Sequence, residues 1–222
     1  MADGAAPVLD VRGLTTVFKT RVGSVHAVNS VSFSLKPGEL LGVVGESGSG
    51  KSVTMMSLIG LIPAPPAVVT GEGVNFGGID LLKASDDELR RIRGARIGFV
   101  FQDPMTSLNP VFTVGYQIME PLRKHMGMDK AAARLRAVEL LELVGIPDAE
   151  RRLKDFPHQF SGGMRQRLQI ARNLVFGPRL VFMDEPTSGL DVSVQARLLD
   201  LIRSLVADLG LAVVIVTHDL AV

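Results

Sequence analysis

Gly45-Glu46-Ser47-Gly48-Ser49-Gly50-Lys51-Ser52 sets glycines at both ends of a short stretch that closes on a lysine and a serine. This is the pattern GxxxxGK(S/T). Its glycines let successive backbone N–H groups turn inward around phosphate oxygens, and a helix starting at its end adds the positive end of its dipole. Lys51 then reaches the terminal phosphates, and the Ser52 hydroxyl is a hard oxygen ligand for Mg²⁺. Far downstream, Leu180-Val181-Phe182-Met183 runs directly into Asp184-Glu185. Two acids after four apolar residues lie at the C-terminal end of a buried strand, the ligand crevice of open α/β sheets. There Asp184 holds Mg²⁺, commonly through water, and Glu185 polarises an attacking water as general base. Alone, the pair reads as a solvated strand end; beside a phosphate loop it reads as catalytic.

Both groups need a scaffold that brings residue 51 to residue 184. The apolar run 40–44 precedes the glycine loop and has the length of a strand buried on both faces. Residues 52–62 form a predicted helix stopped by Pro63. Residues 97–101, 180–183 and 211–216 are further buried strands, and 162–176 and 192–209 further helices, the last ended by Gly210. Strand and helix in alternation predict a parallel α/β sheet. Residues 8–35 alternate instead, and 74–76 with Gly77-Gly78 form a hairpin, which together predict an antiparallel β lobe. Ser85-Asp86-Asp87-Glu88 is a capping box before a short basic helix. From Asp103 to Phe160 the β signals fade, and residues 129–145 read as a helix with an Asp cap and a glycine stop. One domain is expected. Residues 1–37 and about 68–82 form the antiparallel lobe, 38–67, 83–102 and 166–222 the phosphate-loop core, and 103–165 a helical subdomain.

Composition narrows the classes. Lys+Arg number 24 against 23 Asp+Glu, a net charge of +1, so no overall electrostatic footprint points to nucleic acid and any anion site must be local. The absence of cysteine excludes disulfides, thiolate metal sites and a cysteine nucleophile. No apolar run approaches the ~20 residues that span a bilayer, and the N-terminus lacks the pattern of a signal peptide, so a soluble, cytoplasmic chain is expected. His26, His125 and His158 lie too far apart for metal-ligand spacing, and Arg151-Arg152 and the cluster Arg90, Arg91, Arg93 and Arg96 read as solvated faces.

The remaining motifs carry a resemblance. Phe160-Ser161-Gly162-Gly163-Met164, opening a helix shortly before the acidic strand, resembles the LSGGQ signature of ABC ATPases, with Phe160 and Met164 replacing the usual Leu and Gln. Ser161 and the Gly162 and Gly163 amides at a helix N-terminus make a second phosphate site. Gln102 is similar to that family's Q-loop glutamine, Ser188-Gly189-Leu190-Asp191 to its D-loop and His218 to its switch histidine, in family order. The resemblance implies a RecA-like P-loop NTPase core that binds and hydrolyses ATP with Mg²⁺. It makes Gln102 a sensor of Mg²⁺ and attacking water, and His218 a contact to the γ-phosphate. It further implies a head-to-tail dimer, since the signature clasps nucleotide held by a second ABC ATPase subunit, with Asp191 acting across the interface. The adenine-stacking residue stays open between Phe18 and Val22.

Within the family, Phe101-Gln102-Asp103-Pro104-Met105-Thr106-Ser107-Leu108-Asn109-Pro110 and Phe156-Pro157-His158-Gln159 resemble ATPases of dipeptide, oligopeptide and nickel importers. Such subunits work with integral membrane permease subunits and, indirectly, a solute-binding protein, peripherally at the inner face of the cell membrane. Residues 167–174, 180–183 and 192–199 look closer to the ATPase of carbon–phosphorus lyase systems, the alternative. A soluble ABC protein of DNA repair or translation fits less well, given the small net charge and the short insert without a coiled-coil arm. A non-catalytic module fits less well too, because Lys51, Asp184, Glu185 and His218 are all present. The chain stops four residues past His218, where ABC domains normally continue, so a C-terminally truncated domain is expected.

Overall fold

The structure, a computed structural model, describes residues 6–219. Two sheets organise it. The strands Leu9–Thr20 (β1) and Gly23–Leu35 (β2) form a long antiparallel hairpin. Ala67–Thr70 (β4) and Gly73–Phe76 (β5) pair with successive parts of β1, and Ile79–Asp80 (β6) pairs with β5. This is the antiparallel lobe, including the hairpin turn at Gly77-Gly78, both at positive φ.

The second sheet is parallel. It contains Leu40–Val44 (β3), Ile97–Val100 (β7), Leu180–Asp184 (β8) and Ala212–Thr217 (β9), in the order β3-β9-β8-β7. All of β9 is buried, as a central parallel strand requires. Its side chains alternate between two apolar clusters: Ala212, Val214 and Val216 pack with the antiparallel lobe, Val213 and Ile215 with the helical side. In β8, Leu180 and Phe182 take the first side and Val181 and Met183 the second. The period-2 pattern of a fully apolar run thus feeds two cores at once.

The helices follow in chain order. Lys51–Leu58 (α1) and Asp86–Ile92 (α2) lie beside the lobe, and the Ser85–Glu88 capping box forms as expected. Pro104–Ser107 (α3), Val114–Met126 (α4), Lys130–Leu143 (α5) and Ala149–Arg152 (α6) make up the insert. Gly162–Asn173 (α7) and Val192–Leu209 (α8) flank β8 in sequence.

Four expectations need adjustment. The run 40–44, expected to be buried on both faces, forms the outer strand β3 with Leu40 and Val44 exposed, because among the described residues only β9 flanks it. α1 ends at Leu58 rather than running to residue 62, because Gly60 takes a left-handed φ of 63° and Arg93 holds the Ile59 and Gly60 carbonyls at 2.7 Å each. Arg93 is therefore a helix cap from a distance, not a solvated charge. Arg96 lies 5.1 Å from the Phe76 ring centroid and Arg152 at the same distance from that of Phe160, so these two also leave the solvated group. Finally, a boundary at residue 165 falls inside α7, and the insert shares one apolar cluster with α7, α8 and the sheet.

Candidate functional site

Register places the site. Val44 pairs with Thr217, Asp184 with Val216 and Val100 with Met183, so the C-terminal ends of all four parallel strands lie nearly level. The loops that leave them carry the glycine stretch, His218, Glu185 and Gln102. The strand order matters: β9, last in the chain, lies between β3 and β8 and sets the first motif beside the second.

In the glycine loop, Gly48 (φ 83°) and Gly50 (φ 90°) adopt conformations that L side chains rarely take. A Cβ on Gly50 would also overlap the Ala27 carbonyl oxygen of β2, so the loop needs glycine for space as well. Lys51, 8% exposed, donates to the Gly45 and Glu46 carbonyls at 2.6 and 2.7 Å, curling its ammonium over the loop. Ser52 Oγ donates to Asp184 Oδ1 at 2.8 Å, joining residues 132 positions apart. Burial raises the Asp184 carboxyl above its ordinary value; the Ser52 hydrogen bond opposes this, Glu185 adds to it and Lys51 opposes it.

Glu185 follows on a backbone with φ 46°, rare for a residue with a side chain. Its N–H donates to the Val216 carbonyl at 2.8 Å, and its own carbonyl accepts from Ser188 N–H at 3.0 Å, which overdetermines this conformation. The carboxylate is held from two sides: Gln102 Nε2 donates to Oε2 at 2.8 Å, and His218 Nδ1 lies 3.1 Å from Oε1. Gln102 and His218 therefore meet at Glu185, while the Ser52–Asp184 pair forms the neighbouring contact.

Ser161, Gly162 and Gly163 lie elsewhere. Ser161 is the N-cap of α7, accepting weakly from Met164 N–H at 3.4 Å, and the first helical amides have no intrahelical acceptor. A pocket of about 190 Å³ here is lined by Ser161, Gly163, Met164, Arg167, Val194 and Arg197, and by no residue of the glycine loop. Asp191 caps α8, accepting from the Ser193 hydroxyl at 2.8 Å and Val194 N–H at 3.0 Å; the same two donors, the hydroxyl foremost, lower its pKa. Phe18 is partly buried on β1, between Val25 and Ala67, whereas Val22 stands exposed at the hairpin tip.

A model of the ABC transporter family matches residues 28–188. The chain belongs to this family. The cassette is 51% identical to the oligopeptide transport ATP-binding protein OppD of Bacillus subtilis, over 97% of this chain and 60% of that protein. It is 47% identical to the dipeptide transport ATP-binding protein DppD of Escherichia coli, over 96% of this chain and 65% of that protein. The chain thus spans less than two thirds of these relatives' length. Its fold is that of ABC ATPase cassettes: a dimeric post-hydrolysis structure of the ATP-binding cassette MJ0796, bound to ADP and Pi, superimposes with a TM-score of 0.82 at 32% identity, covering 96% of this chain and 89% of that one. The cassette cbiO1 from Clostridium perfringens gives 0.81 at 26% identity, over 96% and 79%. No helix among the described residues is long and apolar enough to cross a membrane.

The sequence reading missed the polar side chains of α7 that hold the segment around Gln102. Gln169 donates to the Phe101 carbonyl at 3.1 Å, and Asn173 Oδ1 accepts from Phe99 N–H at 2.8 Å. The signal was two amides four residues apart, Gln169 and Asn173, on a helix that also buries the amide of Gln166 beside Leu168, Ile170 and Ala171.

Proposed function

We propose that this chain is the ATP-binding and ATP-hydrolysing subunit of a peptide importer. The observation that carries the hydrolytic part is the Glu185 carboxylate, held between Gln102 and His218, one residue beyond the Asp184 that meets Ser52. The peptide part rests on the relatives OppD and DppD. Neither relative favours the phosphonate alternative.

The phosphates of ATP sit in the loop of residues 45–52, whose amides and helix N-terminus favour negative charge. Lys51 exchanges its two loop carbonyls for phosphate oxygens. The Ser52 hydroxyl and Asp184 carboxylate, two hard oxygens 2.8 Å apart, fit Mg²⁺, which takes one or two protein carboxylates or hydroxyls and fills its shell from phosphate and water. When bound, the ion neutralises charge on the phosphate oxygens. Glu185 takes a proton from the water that attacks the γ-phosphate, and Gln102 and His218 aim its carboxylate. ADP and phosphate leave.

Ser161, Gly162 and Gly163 form a half-site without a phosphate loop of its own, and Lys51 with Glu185 forms the other half. Two copies arranged head to tail join them, so that each γ-phosphate is clasped by the partner's signature while Asp191 orders the segment between. This assembly drives permease subunits at the inner face of the membrane, with a solute-binding protein delivering peptide outside.

Phosphate release from ATP tests the reading. Glu185→Gln is expected to bind ATP and to lose roughly 10²–10³ in turnover, the cost of one catalytic contact. Wild-type turnover in that variant would remove Glu185 as the base. Co-purification of the native protein with permease subunits checks the transport part.

A further inference from the structure

β7 closes one side of the parallel sheet, and the outward N–H and C=O groups of an edge strand require partners. Two side-chain amides of α7 meet two such groups: Asn173 accepts from Phe99 N–H at 2.8 Å, and Gln169 donates to the carbonyl of Phe101, one residue past the strand, at 3.1 Å. The match is geometric. Residues two apart in a strand aim their backbone groups to the same side about 6.6 Å apart. Residues four apart on a helix share a face about 6 Å apart. One helix face therefore serves alternate residues of the strand edge, as a neighbouring strand would.

The two amides are themselves constrained. Asn173 Nδ2 donates to the Gln169 carbonyl at 2.9 Å, which fixes which way its oxygen points. Gln169 is 1% exposed, and its Oε1 is buried with no hydrogen-bond partner among the described residues. An apolar side chain would fill that space without the desolvation cost, so the donor end is what the position requires. The same helix grips the next turn of chain: Arg172 donates to the Ser107 carbonyl, and Arg165 Nη1 lies 3.3 Å from Met105 Sδ. Residues 99–107 are thus tied to α7 on both sides of Gln102, whose amide reaches Glu185 at 2.8 Å.

We propose that Gln169 and Asn173 are positioning residues for Gln102: they fix the Phe99–Phe101 edge so that the Gln102–Glu185 contact follows the position of the helix capped by Ser161. The proposal rests on the ATPase reading above. Its consequence is that a shift of α7, whose N-terminus carries the signature half-site, moves the glutamine at the hydrolytic carboxylate of the same chain.

The test is steady-state ATP hydrolysis by the full-length protein, with ATP affinity and thermal melting measured alongside. The variants are Gln169→Leu, Asn173→Leu and Asn173→Asp, with Gln169→Leu also combined with Gln102→Ala. Each leucine variant is expected to lower kcat about tenfold, the effect of one lost positioning hydrogen bond, while ATP affinity stays within about twofold because the phosphate loop is untouched. Asn173→Asp keeps the acceptor for Phe99 N–H but loses the donation to the Gln169 carbonyl, and is expected to recover part of the kcat lost in Asn173→Leu. In the Gln102→Ala background, Gln169→Leu is expected to cost nothing more. Full additivity there, or a parallel loss of kcat and ATP affinity, overturns the proposal. If Gln169→Leu does not fold, the Asn173 pair decides: equal losses in the Asp and Leu variants overturn it. Wild-type turnover left unmoved by the leucine variants overturns the proposal alone, whereas a wild-type protein that binds ATP and releases no phosphate overturns the ATPase reading and the proposal with it.

Discussion

Asp184 and Glu185 are adjacent acids with different surroundings, and the difference fits the different work proposed for them. Asp184 faces Ser52 and is pushed by burial toward its protonated form, while Glu185 is bracketed by an amide and an imidazole. A carboxyl whose pKa is raised on folding holds its proton more tightly in the folded protein. Asp184 therefore favours the folded state most below its ordinary value of 3.8, and this advantage is lost as pH rises through the raised folded value. At neutral pH the ionised form is a cost. Asp184→Asn is accordingly expected to raise the melting temperature of the nucleotide-free protein at pH 7, with the difference shrinking in acid, and to abolish Mg²⁺-dependent turnover. Thermal denaturation across pH checks the first half; a variant less stable than wild type at pH 7 would contradict the raised pKa. At Gly50, both the φ of 90° and the Ala27 carbonyl forbid a side chain, so Gly50→Ala is expected to weaken nucleotide binding at least as much as it weakens the fold. Nucleotide titration of the soluble variant checks this.

Among the elements, α7 and α8 meet where the signature begins. A Cβ on Gly163 would overlap Val194 Cγ1 on α8, so the second signature glycine lets two helices approach closely, besides offering an amide. Gly163→Ala is expected to destabilise the protein by about 1–3 kcal/mol through overpacking, and Val194→Ala to relieve a large part of that loss. Chemical denaturation of the two single variants and the double variant measures the coupling; additive losses would refute the contact as the cause. α1 shows the reverse of a sequence-local stop. Pro63 suggests a helix to residue 62, yet Gly60 and the distant Arg93 end it at Leu58. The glycine was legible as a stop signal, and the arginine was not, since its partners lie 33 and 34 residues away.

For the whole molecule, the two proposed half-sites are built on one chain, yet the pocket at Ser161 and Gly163 is lined by neither Lys51 nor Glu185. ATP is therefore expected to drive dimerisation, most visibly in Glu185→Gln, where hydrolysis no longer reopens the interface. Size-exclusion chromatography of that variant with and without ATP checks this, and Ser161→Ala is expected to weaken the ATP-dependent dimer while leaving the Lys51 site intact. A Glu185→Gln protein that stays monomeric at saturating ATP would refute the head-to-tail arrangement.

The sequence by itself determined the local chemistry and the fold class. The glycine loop, the strand ending in two acids and the capping box are written within a few consecutive residues, where local conformation and side-chain chemistry act together. The two-sided burial of β8 and β9 was legible for the same reason, as unbroken apolar runs. Only the tertiary structure decided that β9 lies between β3 and β8, that Gln102 and His218 converge on Glu185, and that Gln169 and Asn173 seal the edge of β7. These are pairings between residues far apart in the chain, and no local propensity encodes them. They follow from the requirement that every strand in a buried sheet find hydrogen-bonded neighbours and that every buried polar group find a partner.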